Sequence, residues 1–273
     1  MLAWKCIVAQ YSIWSKIMWK QVQIVLVLLF LFSTLMFCLV AQASLDDKSL
    51  VLYLSFDEGK GDIAKDSSKH GHDGTLINNP KWVGGKFGKA LEFDGNKETH
   101  VKVPITDALQ LREKFSAAFW VKRGKQIRDW NYMIGGGSLK WHVIFQNATK
   151  KTYLWTRSGG AWAQKAISDD IQPEDWVHIT VTHDTGSKIM MYYNGKKSGE
   201  GPKPPKVDEI DGSFMVGARH PGEEFFTGVI DEVHLFNRVI STDDITKIIA
   251  GPTAVRPTGK LTTTWSNIKA KEE

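Results

Sequence analysis

Apolar and polar residues alternate with period two along much of the chain, the pattern of strands with one buried face. Leu50, Leu52, Leu54 and Phe56 alternate with Val51, Tyr53 and Ser55; Phe115, Ala117, Phe119 and Val121 alternate with Ser116, Ala118 and Trp120. Trp141, Val143 and Phe145 repeat the spacing, followed by Tyr153 and Trp155, and then by Val177, Ile179 and Val181. Ile189 to Tyr193 runs into Asn194-Gly195, the preferred two-residue hairpin turn, and continues through Lys196 and Lys197. Phe214 to Gly217 reads as a short strand, and Val229 to Phe236 closes the set. Helical spacing of useful length comes only after it. Ser241-Thr242-Asp243-Asp244 has the spacing of a capping box, Ile245, Ile248 and Ile249 form an apolar face, and Gly251-Pro252 stops the helix. Short strands punctuated by Gly, Asn and Pro predict an all-β fold, a two-sheet antiparallel jelly-roll sandwich with one short C-terminal helix.

The last strand carries an oddity. Under strict period two, Val229, Asp231, Val233 and Leu235 share one face, and Ile230, Glu232, His234 and Phe236 the other. A carboxylate in an apolar row has to be paired, hydrogen-bonded or bound to a metal, because burying it bare is too costly. Asp231 and Glu232, as neighbours, are expected to point to opposite faces. That argues against the pair of carboxylates that a glycoside hydrolase directs at one sugar bond. Glu92 and Asp94 do share a face, but Asp94-Gly95 reads as a turn entry, and Glu223-Glu224 as a loop. With no Gly-x-Ser-x-Gly motif and no His-Glu-x-x-His zinc pattern among the eight histidines, a non-catalytic role is expected.

Composition changes the picture mainly at the N-terminus. Val22 to Val40 is nearly all apolar, Lys20 precedes it, and Ala41-Gln42-Ala43 has the small-x-small form of a cleavage site. Residues 1–43 therefore read as a secretory signal, with Met18 as an alternative start. An uncleaved membrane-spanning anchor is the competing reading. Residues 44–251 form the predicted domain and 252–273 a linker and tail. Cys6 and Cys38 both fall in the leader, so the domain relies on its core or a metal rather than on disulfides. The leader also holds Lys5, Lys16 and Lys20 and no acid, so the formal charge of +5 leaves a nearly neutral remainder. There is no basic stripe of the kind that binds nucleic acid. The expected location is secreted, extracellular or periplasmic, or membrane-attached if the leader is retained.

An ordered set of motifs sharpens the fold. Phe56-Asp57-Glu58-Gly59, Asp66-Ser67-Ser68, His72-Asp73-Gly74-Thr75-Leu76 and Gly88-Lys89-Ala90-Leu91-Glu92-Phe93-Asp94-Gly95 occur in that order. They are followed by Phe119-Trp120-Val121-Lys122, Trp176-Val177-His178-Ile179, Tyr193-Asn194-Gly195-Lys196, Gly228-Val229-Ile230-Asp231-Glu232-Val233 and Phe236-Asn237-Arg238. From about Ser49 to Ala250 the chain resembles a laminin-G-like domain of the concanavalin A-like lectin/glucanase superfamily. The resemblance implies two curved antiparallel sheets and, frequently, a bound calcium ion. Calcium takes six to eight oxygens from carboxylates, carbonyls and water. Asp57, Asp66 and Asp231, completed by backbone oxygens around His72, are the expected metal ligands. The alternative is that Asp66 and Asp73 form turns and Asp231 accepts backbone amides.

Ligand binding is expected on aromatic side chains near the surface. Arg128, Trp130 and Tyr132 lie in a stretch that reads as a loop or strand edge, while Trp155, Arg157 and Trp162 surround the turn Ser158-Gly159-Gly160. Flat rings beside polar donors suit sugar stacking and hydroxyl recognition. Trp120, Trp141 and Trp176 are expected in the core. The expected partner is a carbohydrate or glycoconjugate, with a cell-surface protein as the alternative.

Overall fold

A computed structural model describes residues 47–251 except 126–127, 139, 169–170, 173 and 220–223, with only the backbone described over 164–168. The leader and the tail, with both cysteines, lie outside the described residues. Among those residues no helix is long and apolar enough to cross a membrane.

The strands are β1 (Leu50–Leu54), β2 (Ile63–Ala64), β3 (Gly74–Ile77), β4 (Lys81–Gly84), β5 (Lys89–Phe93), β6 (His100–Pro104), β7 (Lys114–Arg123) and β8 (Trp130–Gly136). They continue as β9 (Trp141–Gln146), β10 (Lys151–Ser158), β11 (Ala161–Ser168), β12 (Val177–Asp184), β13 (Ile189–Tyr193), β14 (Lys196–Gly201), β15 (Ser213–Val216) and β16 (Gly228–Phe236). One α-helix, α1 (Thr242–Ala250), follows. The first sheet runs β14-β13-β12-β7-β16-β5-β4 with β1 also paired to β16, and the second runs β11-β10-β9-β8-β15-β6-β3-β2. All pairings are antiparallel. The predicted two-sheet sandwich is what the chain forms.

The core lies between the inner faces. Phe115 of β7 packs against Trp141 of β9 with ring centroids 4.9 Å apart, and Trp141 against Phe214 of β15 at 5.9 Å. The first contact joins the two sheets and the second lies within one of them; all three rings are fully buried, and their large apolar area makes them effective stabilisers. At the β13–β14 hairpin Asn194 and Gly195 both take positive φ, 47° and 78°, as a twist-matched two-residue turn requires. The capping box is formed: Ser241 accepts the Asp244 amide while the Asp244 carboxylate accepts the Ser241 amide, and Gly251 ends the helix.

Two expectations need correction. Arg128 and Asp129 lie in a loop as expected, but Trp130 to Tyr132 belong to β8, which lies between β9 and β15 and is no sheet edge. It continues through Gly135 and Gly136 because β9 packs tightly there. A Cβ on Gly135 would stand 1.8 Å from His142 Nδ1, and one on Gly136 2.6 Å from Trp141 Nε1. Of the tryptophans assigned to the core, Trp141 lies in it, but Trp120 is buried on the outer face of its sheet and Trp176 is half-buried.

Candidate functional site

Strand β16 does not keep period two. Its pairing with β7 shifts register between Asp231 and His234, and Glu232 has φ +54°. This bulge adds one residue and flips the phase of everything after it. Ile230, Val233 and Leu235 face the core, so Asp231, Glu232 and His234 all lie on the outer face, against the expectation of opposed carboxylates. The bulge falls where β16 changes neighbour. Up to Ile230 it pairs with β5, and from Val233 with β1.

Both carboxylates are enclosed there and serve as ties. Asp231 Oδ2 accepts the amides of Lys86 (2.8 Å) and Phe87 (3.1 Å), holding the β4–β5 turn. Glu232 Oε2 accepts the Tyr53 hydroxyl of β1 at 2.7 Å. Phe87 and Lys86 roof the site from above Trp120, edge-on and over the ring respectively. Trp120 also meets His178 at 5.1 Å, and Tyr53 stacks on His234 at 4.1 Å. Asp231 Oδ1, Glu232 Oε1, Trp120 Nε1 and His178 Nε2 are buried with no hydrogen-bond partner. Burial pushes the Asp231 carboxyl up to about 7, despite the Phe87 and Lys86 amides, and the Glu232 charge adds to the rise. Burial also raises Glu232 to about 7, with Tyr53 opposing and the Asp57 charge assisting. The same desolvation lowers His178 to about 3 and His234 to about 4. Asp231 and Glu232 are 0% and 2% exposed, so a sugar in solution does not touch either carboxyl in this arrangement.

The four expected metal ligands do not gather. Asp66 is filled: Oδ1 accepts the amides of Tyr53 and Ser68, and Oδ2 accepts the Ser68 hydroxyl and the His72 amide, all within 2.7–2.9 Å. Four bonds take up the acceptor capacity of a carboxylate. His72 uses Nδ1 on the Val51 carbonyl at 2.9 Å and Nε2 on the Thr106 hydroxyl at 2.8 Å, binding the 66–72 loop to β1. Asp57 Oδ1 accepts the Lys89 amide at 2.8 Å. Among the described residues no three His, Cys, Asp or Glu side chains form a metal-holding group. With Asp66 saturated, a calcium ion shared by the Asp57, Asp66 and Asp231 carboxylates and backbone oxygens around His72 does not fit these bonds. Asp231 ties β16 to the β4–β5 turn; Glu232 is the residue that ties it to β1.

The expected ligand residues, in contrast, largely converge. On β9 Trp141, Val143 and Phe145 point to the core, so His142, Ile144 and Gln146 point outward. Trp130 pairs with Gln146, Tyr153 with Ile144 and Trp155 with His142, which puts those aromatics on the same outer face. Arg157 follows on β10 and pairs with Trp162 of β11. Trp130 meets Trp155 at 5.4 Å and 77°, and Trp155 meets Trp162 at 5.7 Å and 58°. The row is stepped rather than flat. Its exposed end is Trp162, 38% accessible and one of two exposed large hydrophobic residues among those described. Tyr132 is different: it is buried, with Arg219 over its ring, and burial raises its phenol with the Glu224 charge assisting. Arg128 is exposed, and its carbonyl accepts the Asn131 side-chain amide.

The Ser158-Gly159-Gly160 turn is buttressed by a residue that sequence reasoning missed. Asp208, in the segment between β14 and β15, accepts the Gly159 amide at Oδ1 (2.7 Å) and the Gly160 amide at Oδ2 (3.1 Å). Its own amide donates to the Arg157 carbonyl at 2.9 Å. Arg157 Nε donates to the Gly160 carbonyl at 3.1 Å. The turn between Arg157 and Trp162 is therefore fixed from two sides. Asp208 lies about fifty residues further along the chain, in a stretch without regular secondary structure, so local sequence pattern gave no sign of it.

These features define a two-sheet jelly roll with an aromatic row on the outer face of one sheet. Residues 94–246 match the laminin G family described as the concanavalin A-like lectin/glucanases superfamily, and the chain belongs to that family. Similar solved structures include domain 4 of AbnA, a GH43 extracellular arabinanase from Geobacillus stearothermophilus, in complex with arabinotriose. It is 22% identical, with a TM-score of 0.59, covering 74% of this chain and 98% of that one. The ligand binding domain of botulinum neurotoxin serotype D, in complex with N-acetylneuraminic acid, is 17% identical with a TM-score of 0.60, covering 77% and 52%. The binding domain of Paraclostridial Mosquitocidal Protein 1 is 14% identical with a TM-score of 0.61, covering 74% and 52%. The match thus spans about half of each toxin binding domain. At these identities the likeness is one of fold. No match was found among curated protein sequences.

Proposed function

We propose that this protein is a secreted, non-catalytic carbohydrate-recognition module whose ligand stacks on Trp162. The observation that carries the reading is the stepped row Trp130, Trp155 and Trp162, ending in an exposed indole beside Arg157 on a turn locked by Asp208. A rigid aromatic face with an adjacent hydrogen-bond donor is the chemistry a pyranose or furanose ring requires. The non-catalytic part rests on Asp231 and Glu232. They are the best acidic pair on one strand, and both are enclosed and bonded to the fold. The arabinotriose and N-acetylneuraminic acid complexes of proteins with this fold support the sugar reading, and the extracellular arabinanase supports the location. Glycan-array binding by the purified domain, abolished in Trp162→Ala while thermal unfolding is unchanged, is the expected result. Equal binding by wild type and Trp162→Ala, or binding to no glycan, overturns the proposal.

A further inference from the structure

We infer that the ligand carried on the Trp162 face is an acidic sugar, recognised through its carboxylate by Arg157; this rests on the carbohydrate reading above and adds the charge of the ligand. The four adjacent strands β8, β9, β10 and β11 contain no aspartate or glutamate at all, while β10 presents Lys151 and Arg157. Lys151, Tyr153, Trp155 and Arg157 alternate along β10 and so share its outer face, with Lys151 exposed. The aromatic row is thus bordered by cations on its own strand.

Three acids in the surrounding turns are already engaged. Asp208 accepts the Gly159 and Gly160 amides; the Arg157 charge acts on it, but no ion pair joins the two among the described residues. Asp129 Oδ1 accepts the Ala148 amide at 2.7 Å, and Glu224 lies 3.3 Å from Arg219. The Arg157 guanidinium donates Nε to the Gly160 carbonyl, which restrains it, and among the described residues no hydrogen bond engages its two terminal nitrogens. A planar guanidinium with two free terminal nitrogens suits a carboxylate, with two parallel charge-assisted bonds, better than a lone hydroxyl. Its cross-strand partner is Trp162. A ring stacked on that indole would bring a ring carboxylate toward the guanidinium. A neutral sugar would leave the charge unused.

The test uses polygalacturonate and its highly methyl-esterified form, which share a sugar backbone and differ in charge, with poly-glutamate as an anion lacking sugar. Binding is measured by calorimetry and affinity electrophoresis at about 50 and about 500 mM NaCl. The expected result is at least about tenfold tighter binding to the acid form, the lower end of what a charge-assisted pair contributes. The preference should narrow at high salt and disappear in Arg157→Gln, with residual ester binding unchanged. Equal binding to acid and ester overturns this inference and leaves the carbohydrate reading intact. Binding to poly-glutamate as strong as to polygalacturonate also overturns it, as does an acid preference retained in Arg157→Gln. Failure to bind these polymers or any array glycan removes both readings.

Discussion

The Tyr53 hydroxyl and Glu232 Oε2, 179 positions apart in the chain, are joined by a buried hydrogen bond of 2.7 Å. It links the first strand to the last at the point where β16 bulges and leaves β5 for β1. Tyr53→Phe removes the donor and leaves Glu232, whose Oε1 already lacks a partner, with neither oxygen bonded. The cost of stranding a buried acceptor is about 1–3 kcal/mol. A urea-denaturation midpoint lowered in Tyr53→Phe, with a smaller further loss on adding Glu232→Gln than Glu232→Gln causes alone, is expected. Additive losses would show that the two side chains do not act as a pair.

The enclosed cluster also contributes to the pH dependence of stability. Asp231 and Glu232 rise from 3.8 and 4.5 to about 7, so the folded state binds protons that the unfolded state has released. Their contribution is full below about pH 4 and is lost as pH rises through 7. His178 and His234 fall from 6.5 to about 3 and about 4, so their contribution is present above 6.5 and lost as pH falls through those values. Between roughly pH 4.5 and 6.5 the two slopes oppose each other and the cluster's net effect is small. Glu232→Gln removes one carboxyl, so relative to wild type its stability should rise with pH across that window, by at most about 1.4 kcal/mol per unit. His234→Gln should show the opposite relative slope. Unfolding midpoints at pH 5.0 and 6.5 decide the matter, and two parallel profiles would refute it.

The strands were legible wherever a regular alternation met a single core face, as in Leu50 to Leu54 and Val177 to Val181. So were Asn194-Gly195 and the Ser241 capping box, because turn and cap chemistry is local. Two kinds of feature were not. One inserted residue at Glu232 reverses which side chains share a face, and no composition rule marks a bulge. Gly135 and Gly136 look like loop residues, yet they serve a strand, because close approach to His142 and Trp141 is a property of the partner strand. At the site, the tryptophans and Arg157 stood out by type and by their flanking turn. Asp208 did not, since its role depends on a contact formed across the fold.

Asp208 yields a prediction on dynamics. Its carboxylate occupies the Gly159 and Gly160 amides, and those bonds hold the carboxyl below its ordinary value. In Asp208→Ala both amides lose their acceptor at an exposed turn, where water replaces it with little effect on global stability. Amide exchange at Gly159 and Gly160 should accelerate at least about tenfold while exchange in β9 stays unchanged, since local opening is independent of global unfolding there. The same variant should bind glycan more weakly than wild type by a faster off-rate, because Trp162 and Arg157 are no longer held in place. Unchanged exchange at the two glycines would mean that the turn is rigid without Asp208.

Gly84 and Gly88 lie at the two ends of the β4–β5 turn and should respond oppositely to alanine. At Gly88 φ is +46° and an added Cβ would stand 1.9 Å from Asp57 Oδ1, the oxygen that accepts the Lys89 amide. The Asp57 carboxylate must move, breaking that bond, or the turn must shift and take the Lys86 and Phe87 amides away from Asp231. Overpacking of this kind costs about 1–3 kcal/mol, and the left-handed backbone adds about 1 more. At Gly84 nothing lies within 4 Å of an added Cβ, and its φ is outside the left-handed range. There, alanine restricts the unfolded chain and is neutral or stabilising by up to about 1 kcal/mol. Thermal unfolding of the two variants under identical conditions checks the contrast. A Gly88→Ala protein as stable as Gly84→Ala would show that the turn is not clamped between Asp57 and Asp231.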